Sequence, residues 1–184
     1  MFNRLCHWLM KISGWRFEGS PPQINQYIMI VGPHTSNWDF IIGVIARGAL
    51  KTQIHFLGKH QLFIPPWGWF FRAIGGSPVD RRKNNNLVDS AALLFATQPH
   101  YKLALAPEGT RSPVTRWKTG FYHIAQQAQV PIVAVGLDFS LKKIIIAPSF
   151  MPTGNKRHDI NELLNFYRTI NGCKPKQIPE YRDE

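Results

Sequence analysis

The chain has 184 residues, 44% of them hydrophobic, which is enough for one packed core and points to a single domain. Lysine and arginine number 22 against 11 acidic residues, a formal net charge of +11, so an anionic partner is expected: a phosphorylated substrate, an anionic membrane surface or nucleic acid. No apolar run approaches the ~18 residues a spanning helix needs, the amino terminus does not read as a signal peptide, and Cys6 and Cys173, at opposite ends, offer neither a disulfide framework nor metal-ligand spacing.

Residues 2–12 place Phe2, Leu5, Cys6, Leu9 and Ile12 at helical spacing, with Arg4, His7 and Lys11 between them and Trp8 and Trp15 near the borders. This predicts a short basic amphipathic helix within residues 1–14, either lying in a lipid headgroup layer or packed on the domain. Gly14 ends it, and Trp15 to Gly19 reads as a short edge strand. Tyr27-Ile28-Met29-Ile30-Val31 is a buried strand closed by the turn pair Gly32-Pro33. Ser36, with Asp39 three places on, marks the start of a helix over 36–50. His34 therefore sits where a strand ends and Asp39 in the first turn of the next helix. That offset lets the carboxylate fold back onto the imidazole, holding one nitrogen and leaving the other free, the arrangement of a general base for a hydroxyl. With seven histidines in the chain, such a pairing taken alone is a frequent coincidence.

A strand follows over 53–57, and then the oddest composition in the chain, Leu62-Phe63-Ile64-Pro65-Pro66-Trp67-Gly68-Trp69-Phe70-Phe71. It is too broken by proline for a long helix. Its aromatics, Phe63, Trp67, Trp69 and Phe70 among them, suit a membrane contact, a groove for an alkyl chain or a packed core corner. Further elements are predicted as a brief strand over 77–80, a helix over 84–98, a strand over 101–106, a helix over 120–128, strands over 131–137 and 142–147, and a last helix from Asp159 to Ile170. The tail, 173–184, is polar and expected to be loosely ordered. Alternating strands and helices predict an α/β fold over residues 15–172: a single domain with a mostly parallel central sheet flanked by helices, preceded by the short amphipathic helix. In such folds the loops leaving the strands gather into one site, so His34, Arg81 and Glu108 are expected to converge.

Four blocks in order then resemble one family. His34-Thr35-Ser36-Asn37-Trp38-Asp39 is similar to the HxxxxD motif of the glycerophospholipid acyltransferase superfamily. Lys59, Leu62 and Pro65, continuing through Gly68 and Gly75-Gly76 to Val79-Asp80-Arg81, resemble its second block. Pro107-Glu108-Gly109-Thr110-Arg111-Ser112 is close to its most diagnostic block, and Val130 to Gly136 resembles the fourth. The resemblance covers roughly residues 25–140, and four blocks in order are a specific signal.

The resemblance implies an O-acyltransferase that moves a fatty acyl chain from a thioester donor, acyl-CoA or acyl-carrier protein, to a lyso-phospholipid hydroxyl, most simply lysophosphatidic acid to phosphatidic acid. It implies His34 as base and Asp39 as its orienter, with direct attack on the thioester and no cofactor or metal. Arg81 and Arg111 suit a phosphate, because a guanidinium offers paired donors to its oxygens. Gly109 would let the backbone approach the ligand, Thr110 lies between them in the same block, and Glu108 would hold Arg111 or a substrate hydroxyl. Ser36 is better read as the helix cap than as a nucleophile. The implied location is cytoplasmic and peripheral, on the inner face of the cell membrane. Another lyso-lipid or a glycolipid acceptor remains open, as does a non-catalytic membrane- or nucleic-acid-binding module. Nucleic acid is not the expected partner, since the aromatics cluster with proline and aliphatics instead of alternating with basic residues.

Overall fold

The computed structural model describes residues 2–79 and 87–182. The apolar runs expected to be buried strands lie in strands. The strands are β1 (Arg16–Glu18), β2 (Tyr27–Gly32), β3 (His55–Lys59), β4 (Gly76–Val79), β5 (Lys102–Leu105), β6 (Ile132–Asp138) and β7 (Lys143–Ile146). They form one seven-stranded sheet in the order β1-β7-β6-β2-β5-β3-β4, parallel throughout except for the antiparallel β6–β7 pair. The expected single-domain α/β architecture with a mostly parallel sheet is what the chain adopts.

The central strands read as unbroken apolar runs because both faces of the sheet are covered. Side chains alternate between two cores, as a strand's period of two demands. Ile28 and Ile30 of β2, with Ile132 and Ala134 of β6, face a core that includes Phe95, Phe121, Tyr122, Leu164 and Tyr167. These come from helices α4 (Leu87–Thr97), α5 (Gly120–Ala128) and α6 (Lys156–Arg168). Tyr27 and Met29, with Val133, Val135 and Leu137, face the opposite core beside Met10 of α1 (Phe2–Ser13) and Ile42 and Ala46 of α2 (Asn37–Ala49).

The amphipathic α1 packs on the domain. One stripe, Cys6 and Met10, packs inward, while Phe2, Leu5, Trp8 and Ile12 stay exposed. The contact with α2 is close: a Cβ at Gly48 would lie 2.4 Å from Cys6 Sγ, so only glycine fits there. Burial pushes the Cys6 thiol pKa up. The aromatic segment forms a single 3-10 turn, His60–Phe63, and a short helix, α3 (Gly68–Ala73), in keeping with its prolines.

Two expectations are corrected. The last helix begins at Lys156, not at Asp159. Asn155 caps it by accepting the His158 amide at 3.1 Å, and Asp159 is instead buried, accepting from Tyr122 Oη, Thr153 N and Thr153 Oγ1, each at 2.8 Å. The tail is not loose in its described part. Just before it the Asn171 amide donates to Asp138 Oδ2 at 3.1 Å, and within it the Lys174 amide donates to Thr35 Oγ1 at 3.3 Å and Ile178 is buried in the first core. The Lys176 side chain finds partners on the loops leaving β2 and β5, which composition alone does not reveal.

Candidate active site

β2 stops at Gly32, and the chain turns through Pro33 to His34 before entering α2. Ser36 is the α2 N-cap, its hydroxyl accepting from the Trp38 amide at 3.2 Å, and Asp39 completes the capping box by accepting the Ser36 amide at 2.7 Å. The same Asp39 Oδ2 accepts the Thr35 amide at 2.6 Å and lies 3.0 Å from His34 Nδ1. A carboxylate so engaged selects the tautomer with the proton on Nδ1, which leaves Nε2 as the basic nitrogen. The His34 side chain is 30% exposed and Asp39 only 4%, so the base is reachable and its orienter is not.

Because β5 lies beside β2 in parallel, the loops leaving the two strands meet. Glu108, in the loop after β5, directs Oε1 at the His34 amide, 3.0 Å away. Its Oε2 pairs with Lys176 of the carboxyl-terminal segment, and both side chains are almost fully buried. Lys176 also donates to the His34 carbonyl at 2.9 Å and to the Thr110 carbonyl at 3.2 Å. Burial pushes the Lys176 ammonium pKa down, with the Asp39 charge opposing that shift. Glu108 therefore holds the His34 backbone and Lys176 rather than Arg111, whose guanidinium donates to Asn37 Oδ1 at the start of α2. Thr110 and Arg111 are exposed. Gly109 turns the chain with a positive φ of 64°, and a Cβ there would lie 3.3 Å from Lys118 Cε. That is the conformation and the close approach for which glycine is suited.

His34, Asp39, Gly109 and Lys118 are among the residues lining a cavity of about 420 Å³ that is bordered by α2, the sheet and residues of α4 and α5. Its walls are mostly apolar, with Val44 and Leu50 on the helix side and Met29, Val135 and Leu137 on the sheet side. A space of this size and character holds a small molecule or a lipid tail. None of Phe63, Trp67, Trp69 and Phe70 lines it. Phe63 is buried under the Arg72 guanidinium and the Phe71 ring, whereas Trp67 and Trp69 are 67% and 70% exposed and Phe70 is partly so. Arg81 lies outside the described residues. Thus His34, Asp39, Glu108, Gly109, Thr110 and Arg111 come together, and the aromatic segment stands apart from them.

Lys118 and Lys176 belong to this constellation, yet sequence reasoning did not single them out. Lys118 follows Trp117 in a loop with no motif attached, and Lys176 sits in a charge-rich tail that reads as solvated. Among the described residues there is no cluster of three or more His, Cys, Asp or Glu side chains that could hold a metal. Nor is any helix among them long and apolar enough to cross a membrane.

Comparison with known proteins bears on this arrangement. The 1-acyl-sn-glycerol-3-phosphate acyltransferase of Saccharomyces cerevisiae is 34% identical over 118 residues, 59% of this chain and 37% of that protein. Proteins of the same name from Salmonella typhimurium and Escherichia coli are 26% and 29% identical over 160 and 123 residues. Those matches cover 82% and 62% of this chain but 57% and 48% of the relatives, so the chain spans about half the length of these bacterial proteins. The fold matches the crystal structure of the 1-acyl-sn-glycerophosphate (LPA) acyltransferase of Thermotoga maritima with a TM-score of 0.59, over 91% of this chain and 79% of that one, at 16% identity. A family model described as Acyltransferase matches residues 5–138, from α1 to the end of β6, a span that contains His34, Asp39 and the Glu108 loop: the chain belongs to the Acyltransferase family.

Proposed function

We propose that the protein transfers a fatty acyl chain from a thioester donor, acyl-CoA or acyl-carrier protein, to a lyso-phospholipid hydroxyl, most simply converting lysophosphatidic acid to phosphatidic acid at a membrane surface. The observation that carries this reading is the pairing of His34 Nδ1 with Asp39 in the lining of a mostly apolar cavity. As the acceptor hydroxyl oxygen attacks the thioester carbonyl, His34 Nε2 takes its proton. The tetrahedral intermediate then expels the thiolate, which receives that proton from the imidazolium. Asp39 keeps the ring in the required tautomer and stabilises its charged form, and general-base help of this kind is worth about 10²–10⁴ in rate.

The cavity beside His34 suits an alkyl tail, Lys118 in its lining suits a phosphate, and Arg111, which donates to Asn37 at the start of α2, is proposed for the same group. Arg81 is proposed for the same phosphate. Glu108 acts through the His34 backbone, and Gly109 and Thr110 shape the loop beside it. The relatives named 1-acyl-sn-glycerol-3-phosphate acyltransferase favour a phosphorylated lyso-lipid. The net charge of +11 and the outward apolar stripe of α1, joined by Trp67, Trp69 and Phe70, favour peripheral attachment to an anionic membrane face on the cytoplasmic side.

The test is transfer of a labelled acyl chain from acyl-CoA or acyl-carrier protein to a panel of lyso-lipids and glycolipids. Lysophosphatidic acid should be acylated by the wild type, and His34→Ala should lose most of the rate while remaining folded. Preference for an acceptor without phosphate would move the assignment to another lyso-lipid or a glycolipid. Equal rates for wild type and His34→Ala would defeat it.

A further inference from the structure

His34 lies past the end of β2, so its peptide groups have no ladder partner in the sheet and must be satisfied otherwise. They are held on both sides. The amide donates to Glu108 Oε1 at 3.0 Å, and the carbonyl accepts from Lys176 Nζ at 2.9 Å. Glu108 and Lys176 are bonded to each other, which closes a ring of contacts around this one residue. An ammonium has three donors, and here it meets three acceptors: the Glu108 carboxylate, the His34 carbonyl and the Thr110 carbonyl. The segment that delivers it is anchored on both sides. Phe139 N donates to the Asn171 carbonyl at 2.8 Å, and Gly172 sits so close to Thr35 that a Cβ there would come within 2.7 Å of its Cγ2. Beyond the lysine, Ile178 is buried in the core.

Asp39 fixes how the imidazole is rotated, but it acts from the α2 side. Where the ring is carried relative to the cavity and the loop after β5 depends on the backbone of residue 34. We infer that Lys176 is a positioning residue for acyl transfer, tying the His34 peptide to the Glu108–Thr110 loop and so setting the direction from which the imidazole meets the acceptor hydroxyl. This rests on the acyl-transfer reading above. A displacement of about 1 Å in a reacting group can cost about a hundredfold in rate, so a tether of this kind shows in turnover before it shows in affinity.

The experiment measures kcat, KM and thermal unfolding with acyl-CoA and lysophosphatidic acid for the wild type, His34→Ala, Lys176→Met, Glu108→Gln and the Lys176→Met/Glu108→Gln pair. Lys176→Met should lower kcat by about 10- to 100-fold with KM values within about threefold of wild type. It should also lower Tm by about 10 °C, because it leaves a buried carboxylate without its cation. The double variant leaves no unpaired buried charge, whereas Glu108→Gln leaves the Lys176 ammonium without its anion. The double variant's Tm should therefore recover to that of Glu108→Gln or above it, while its kcat stays about tenfold or more below that of Glu108→Gln. A double variant with the kcat of Glu108→Gln overturns the inference, since Lys176 would then only neutralise Glu108, and this comparison decides the matter even if Lys176→Met alone does not fold. A raised KM at unchanged kcat overturns it too, by making Lys176 a substrate contact. A wild type without transfer, or a fully active His34→Ala, instead defeats the acyl-transfer reading itself.

Discussion

The Ser36 amide donates to Asp39 Oδ2 at 2.7 Å, so the carboxylate that faces His34 is also the one that closes the capping box of α2. One side chain serves fold and site together, and the two roles separate on substitution. In Asp39→Asn the amide oxygen can take the place of Oδ2, keeping the Thr35 and Ser36 amides and the Nδ1 proton, but the negative charge that stabilises the imidazolium is gone. The expected result is a loss of about 10²–10⁴ in kcat with at most about 1 kcal/mol lost in stability. Acyl-transfer kinetics beside a denaturation curve checks it, and a variant crippled only because it unfolds would contradict it.

Gly43 lines the cavity one turn beyond Asp39, and a Cβ there meets nothing within 4 Å. Gly43→Leu should therefore be accepted by the fold, gaining up to about 1 kcal/mol in helix propensity. If the acyl chain occupies this cavity, the added side chain shortens it. Competition between donors of different chain length should show a shift toward shorter chains. An unaltered chain-length profile in a stable Gly43→Leu protein would place the tail elsewhere.

Asp138 ends β6 and links the β6–β7 turn to the tail. Burial raises its pKa, but bonds from Ser140 Oγ at 2.7 Å, the Asn171 amide at 3.1 Å and the Leu141 amide at 2.8 Å outweigh that and hold it below the ordinary 3.8. The unfolded chain thus binds the proton more readily than the folded one. The stabilisation is fully present above the unfolded value and is lost as pH falls through the lower folded value. Urea unfolding between about pH 5 and 2.5 should show stability declining with acid, and Asp138→Ala should flatten that decline while costing about 2 kcal/mol at neutral pH. A variant whose acid profile runs parallel to wild type would refute the assignment.

Attachment to membranes is best probed by substitution rather than deletion, because Cys6 and Met10 of α1 are buried against the body of the domain. Leu5→Asp with Trp8→Asp puts charge on the outward stripe and leaves the packed stripe untouched. Co-sedimentation with vesicles rich in anionic phospholipid should fall about tenfold or more, and wild-type binding should weaken with salt. If instead only Trp67→Ala/Trp69→Ala releases the protein, the contact is made by the aromatic segment.

The elements themselves are legible in the sequence because their causes are local. A short β-branched-rich apolar run such as Tyr27–Val31, closed by Gly32-Pro33, reads as a strand covered on both faces, and Ser36 with Asp39 announces the start of α2 through backbone amides a few residues away. The closeness of His34 and Asp39 follows from the same short geometry. The tertiary structure decides what depends on distant segments. Glu108 reaches the His34 amide because β5 lies in register beside β2, and Lys176 arrives from 68 residues further along a segment whose charge reads as a solvated tail. Phe63 and Trp67 share one aromatic run, yet the first is buried against Arg72 and Phe71 and the second stands in solvent. The His34–Asp39 pair is thus a property of six consecutive residues, whereas the peptide clamp around His34 exists only once sheet order has brought three remote segments together.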